Sequence, residues 1–139
     1  MKKYLFSFLV VCLILTSCKE EKSADSSQMK QVMAIHDEVM PKMGTIGKMV
    51  GELSELENDS TVNVKSYQEA RKDLQDAHKS MMDWMKGFGD RFDPDEILNG
   101  KELTKEKQKW LDQEEEKVNA LKDQINQSIE NAEKLLKKK

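Results

Sequence analysis

The sequence predicts an all-α protein: an antiparallel three-helix bundle behind a cleaved signal peptide, with an elongated helical hairpin or coiled coil as the runner-up. Three observations lead there. Apolar residues recur at three- and four-residue steps along three long stretches. No stretch alternates as a half-buried strand does. Short, turn-rich segments join the stretches, which favours antiparallel neighbours.

The chain has 139 residues, one domain by default, and residues 1–17 read as a targeting segment outside the fold. Lys2 and Lys3 are its positive start, and Tyr4 to Leu15 form an apolar run too short to anchor by itself. The run ends in Leu15-Thr16-Ser17-Cys18, which resembles the bacterial lipobox. A thiol just outside an apolar run is placed for alkylation by a lipid at the membrane face. Acyl chains on Cys18 would then replace the run as anchor, each buried methylene adding ~0.8 kcal/mol. Residues 18–28 follow as the lipidated cysteine and a polar tether. Cys18-Lys19-Glu20-Glu21-Lys22 resembles the export signal of Bacteroidota surface lipoproteins; the plainer reading is a solvated linker. The expected location is the cell envelope, lipid-anchored in the outer membrane and facing outward.

The helical domain should span residues 29–139. Met29, Val32, Met33, His36, Met40, Met43, Ile46, Val50, Leu53 and Leu56 draw the first apolar face. Pro41 removes a helical hydrogen bond, so a bend near Met40 is expected. Gly44, Gly47 and Gly51 follow, and they would admit a closely approaching neighbour. Asn58-Asp59-Ser60 marks a turn. Tyr67, Ala70, Leu74, Ala77, His78, Met81, Met85 and Phe88 form the second stripe, with Trp84 beside it and an end near residue 90. Asp93-Pro94-Asp95-Glu96 opens a short helix through a capping box, and Asn99-Gly100 closes it. Thr104 caps the last helix, whose face is Leu111, Val118, Leu121, Ile125, Ile129, Ala132 and Leu136. Glu114-Glu115-Glu116 reads as its solvated side. Trp84, Phe88, Phe92 and Trp110 should join the end of the second helix to the start of the last.

Composition narrows the chemistry. Of 23 basic side chains, removal of Lys2 and Lys3 leaves 21 against 26 acidic ones. That balance disfavours nucleic acid, where binding begins with phosphate neutralisation. Lys137-Lys138-Lys139 reads as favourable charge at a helix C-terminus. Cys12 leaves with the signal segment, so the mature domain has neither a free thiol nor an internal disulfide. No nucleophile elbow, phosphate loop, zinc-protease helix or haem-attachment motif is present. The expected protein is not an enzyme but a lipid-anchored binding or scaffolding component, its partners the membrane and an envelope protein.

Methionine is the unusual feature. Nine occur, and all but Met1 and Met49 fall near the two histidines. Met29, Met33, His36, Met40 and Met43 share one helix face, and His78, Met81, Met82 and Met85 another. With a turn centred near Ser60, residue i faces roughly residue 120 − i, placing His36 near Trp84 and His78 near Met43. Thioether and imidazole together suit Cu(I), so these residues are the candidate metal ligands, and a soft-metal binder or metallochaperone is the alternative function. The preferred cluster is His78 with Met43, Met81 and Met82; the second is His36 with Met33, Met40 and Met85. The plainer reading is core packing, for which methionine is well suited. Met and His as axial ligands of a non-covalent haem is a third reading.

The segments from His36 to Met43 and from Ala77 to Met85 resemble those of small uncharacterised Bacteroidota lipoproteins, some labelled "viral A-type inclusion protein". The resemblance covers most of the mature chain. It implies coiled-coil-like composition and no particular activity.

Overall fold

A computed structural model describes residues 24–58 and 64–137. The signal segment, Cys18, the start of the tether, Asp59, Ser60, Lys138 and Lys139 lie outside the described residues. Five helices are present among those described: α1 (Ala24–Val39), α2 (Lys42–Glu57), α3 (Val64–Arg91), α4 (Pro94–Leu98) and α5 (Lys105–Leu136). α1 and α2 form one bent rod, α3 runs back along it, and α5 returns parallel to α1 and α2. The protein is an antiparallel three-rod bundle.

The bend follows from Pro41. Met40 N–H still donates to the His36 carbonyl at 2.8 Å, closing the last turn of α1. Pro41 has no N–H to continue the ladder, and Met43 N–H instead donates to the Met40 carbonyl at 3.1 Å. One tight turn separates two rods of sixteen residues each. α1 begins at Ala24, five positions ahead of Met29, and its first turns are held. Gln28 Nε2 donates to Asp112 Oδ1 at 3.0 Å and Glu115 Oε2 at 2.6 Å. Further along, Lys122 Nζ donates to Glu38 Oε2 at 2.6 Å. The Lys122 ammonium holds the Glu38 carboxyl below the usual carboxylate range. Past the bend, Lys42 Nζ donates to Asn126 Oδ1 at 2.6 Å. The Gln28–Asp112, Glu38–Lys122 and Lys42–Asn126 links all span 84 positions, so α5 keeps a single parallel register past the bend. Across α2 and α3 the Arg71 guanidinium grips Glu57 with two nitrogens, Nη2 at 3.1 Å from Oε2.

The core is one cluster. α1 and α2 supply Met29, Val32, Val39, Ile46 and Leu53; α3 supplies Tyr67, Ala70, Leu74, Ala77, Met81, Trp84 and Phe88; α5 supplies Leu111, Val118, Leu121, Ile125 and Ala132. At three- and four-residue spacing these faces meet along the bundle axis, and their burial is the main stabilising term.

Four sequence expectations need correction. His78 and Met85 are exposed, and Trp84 takes the place in the α3 stripe expected of them. The cause is that α3 packs against α5 as well as α2, which rotates its buried face toward Trp84. Met82, which lies outside the expected stripe, is exposed as well. Glu114 is 2 % exposed, not solvated. Gly44, Gly47 and Gly51 admit no close neighbour: a methyl group on any of them would meet no atom within 4 Å.

The corner between α3 and α5 is built as its sequence predicts. Asp93 accepts from Asp95 and Glu96 N–H at 3.1 Å each, and Glu96 Oε2 accepts from Asp93 N–H at 2.8 Å, completing the capping box. The Lys101 ammonium, 2.9 Å from Asp93 Oδ2, and the capped backbone N–H together hold the Asp93 carboxyl below its ordinary value. Gly100 stands at φ +71, a left-handed conformation that an L side chain resists. Its Cα side also leaves little room, because a methyl there would lie 3.1 Å from Ser26 Oγ. Thr104 Oγ1 accepts from Lys107 N–H at 3.2 Å and starts α5.

Candidate functional site

Two surface features combine shape with chemistry. The first is a groove of about 470 Å³ between α3 and α5. Trp84, Gly87, Ala120 and Leu121 give it apolar walls, and Ser80, Asp83 and Gln124 lie toward one end. It exists because Gly87 has no side chain to fill it: a Cβ there would project into open space. The other end carries Arg91, Glu114 and Lys117. Glu114 Oε1 accepts from Arg91 Nη1 and from Lys117 Nζ, both at 2.8 Å. A buried carboxylate needs such partners, since desolvating it alone would be prohibitive. Arg91 also lies over the Trp110 ring, 5.6 Å from its centroid, a cation–π placement. The cluster holds two cations against one carboxylate, so this end of the groove is net positive. Sequence pattern alone puts Glu114 on the solvent side and does not reveal the groove, whose signals in the chain are a glycine and an alanine at ordinary helical positions.

The second feature is the methionine–histidine face. His36 is stacked on Trp84, ring centroids 5.8 Å apart and planes at 30°, the neighbour expected for it. From Trp84 the aromatic series continues to Phe88 and Phe92 at 4.9 Å each. His36 Nδ1 lies 2.9 Å from Asp37 Oδ1. Met33, Met40 and Met43 are partly buried against the core. Met81 is fully buried within it, while Met82 and Met85 are 37 % and 38 % exposed.

Helix geometry places these groups. At 100° per residue, the contacts of Gln28 and Glu38 with α5 mark one flank of α1. Met33, His36 and Met40 lie on the opposite flank, the one that meets α3 through the His36–Trp84 stack. On α3, Arg71 marks the flank toward the bent rod, and His78, Met82 and Met85 share it. α1 packs chiefly on α5 and touches α3 through the His36–Trp84 stack. Met33, His36 and Met40 face that contact from α1, His78, Met82 and Met85 lie exposed on the α3 flank, and Met81 is buried in the core. Met43 sits past the bend on the α2 flank that carries Glu57. Among the described residues no three His, Cys, Asp or Glu side chains gather as a metal-holding group, and no helix is long and apolar enough to cross a membrane. Trp84 Nε1 is buried without a hydrogen-bond partner.

Comparison with family models, with curated proteins and with solved structures finds nothing that matches this chain.

Proposed function

We propose that this chain is a lipid-anchored helical protein of the cell envelope that acts by binding a protein partner rather than by catalysis. The observation that carries the binding role is the α3–α5 groove, open to solvent, apolar along its walls and net positive at one end. The chemistry that fits is a peptide segment with an apolar side chain for the Trp84–Leu121 wall and an acidic group for Arg91 and Lys117. The anchoring role rests on the lipobox-like run ending at Cys18, and outward display on Lys19-Glu20-Glu21.

Two arms test the reading. Acyl labelling and membrane fractionation should find the wild type labelled and membrane-bound, and Cys18→Ala unlabelled; equal labelling of both removes the anchor. A photo-crosslinking residue at Gly87 or Ala120 should yield a discrete protein adduct in intact cells. The same residue at Gly51, exposed and remote from the groove, should not. Identical patterns at all three positions would remove the groove from the binding role.

A further inference from the structure

We infer that the α1 face carrying His36 is a Cu(I) site, with the thioethers of Met33 and Met40 from the same helix and of Met85 from across the His36–Trp84 contact as its sulfur ligands. This does not depend on the anchor or on the α3–α5 groove.

A carboxylate only accepts hydrogen bonds, so the 2.9 Å contact to Asp37 Oδ1 places the proton of a neutral His36 on Nδ1. The lone pair is then on Nε2, which has no hydrogen-bond partner among the described residues. A carboxylate that fixes the tautomer and turns the other nitrogen outward is the usual support for a metal-binding histidine. The ring is further held by its stack on Trp84, so little freedom is lost on coordination.

The sulfurs come next. Met33 and Met40 stand three positions before and four after His36, the spacing that puts all three side chains on one helix face. Both are partly buried beside the core, within reach of water. Met85 follows Trp84 on α3 and, 100° round the helix from it, lies on the Arg71 flank toward the bent rod. Met82 and Met85 are, with Leu98, the exposed large apolar side chains among the described residues. Packing alone gives no reason for two methionines to be left there, one of them beside the histidine's stacking partner.

The donor set then selects the metal. One imidazole and two or three neutral thioethers suit a soft monovalent ion and suit Zn(II) poorly. The bend at Pro41 allows Met40 to sit at the end of α1, where the helix ladder no longer restricts the chain beyond it. His78 does not join: six residues before Trp84, it lies ~9 Å along α3 from the His36 contact, and Met81, its expected partner, is fully buried. The site favoured by the structure is therefore the second of the two clusters expected from sequence.

The test uses the full chain in detergent with Cys12→Ser and Cys18→Ser, so that no thiol competes for copper. Titration against a chromogenic Cu(I) chelator should withdraw one equivalent of Cu(I), with quenching of tryptophan emission that Trp84→Phe largely removes. Met40→Leu with Met85→Leu preserves volume and fold and should weaken binding at least about tenfold. Asp37→Ala, at a side chain 73 % exposed, removes the acceptor of the His36 Nδ1–H bond and should weaken binding by about tenfold through the lost orientation of His36. His78→Ala should leave the affinity unchanged. Circular dichroism on each variant separates lost ligands from a lost fold. Failure of the parent chain to withdraw Cu(I), equal affinity in the Met40/Met85 variant, or a loss in His78→Ala as large as in the Met40/Met85 variant would each overturn the assignment.

Discussion

Glu114 shows at the level of one side chain how tertiary partners override a local pattern. Within Glu114-Glu115-Glu116 it has nothing to distinguish it from its neighbours, yet it alone is fully buried, because Arg91 arrives from α3 and Lys117 from the next turn of α5. Glu114→Ala should strip both cations of their shared partner. Arg91 and Lys117 keep some access to water, so the loss should fall below that of a fully buried pair, about 1–3 kcal/mol. Chemical denaturation of wild type and variant measures it. An unchanged midpoint would show that the cluster contributes nothing net. The same contrast holds at the candidate sites. The His36–Trp84 pairing was legible, since it follows from helix periodicity and a turn position. The burial of Met81 and the place of Met82 outside the α3 stripe were legible too; the exposure of His78 and Met85 was not, because it depends on α3 turning Trp84 to the core as it packs on both α2 and α5.

Helices were readable where their ends carry their own chemistry. Asp93, Pro94 and Glu96 define the start of α4 with no help from the rest of the molecule, and Thr104 does the same for α5. Pro41 broke the first rod where a missing N–H must break it. The glycines of α2 were harder, because a glycine in a helix reads equally as a contact point or as a cost. With open space around each of Gly44, Gly47 and Gly51, only the cost remains, up to ~1 kcal/mol relative to alanine. Gly47→Ala should therefore raise the melting temperature, and adding Gly44→Ala should raise it further. Thermal unfolding followed by circular dichroism checks this; a lower melting temperature would mean that α2 needs its looseness for packing. The α3–α5 groove lay beyond sequence reading for a related reason. It is made by side chains that are missing, Gly87 on one helix and the short Ala120 on another, and it exists only once their register is known.

Three rods sharing one apolar core should hold the molecule together without a cross-link or ion. Reduced, chelator-treated protein is expected to give a strongly helical spectrum and a single cooperative melt; a coil-like spectrum would mean that a ligand completes the fold. The parallel course of α1 and α5 has a directional consequence. Ser26 and Gln28 stand beside Gly100, Gln108 and Asp112, so the first turn of α1, the α4 corner and the start of α5 occupy one pole. An anchor at Cys18 would hold that pole to the bilayer and bring Leu98, 75 % exposed on α4, to the lipid side. The 32 residues of α5 then rise ~48 Å away from it at 1.5 Å each. With such an anchor the molecule would work as a mast: whatever it held near Lys137 would stand clear of the headgroups, and whatever it held near α4 would lie at the membrane.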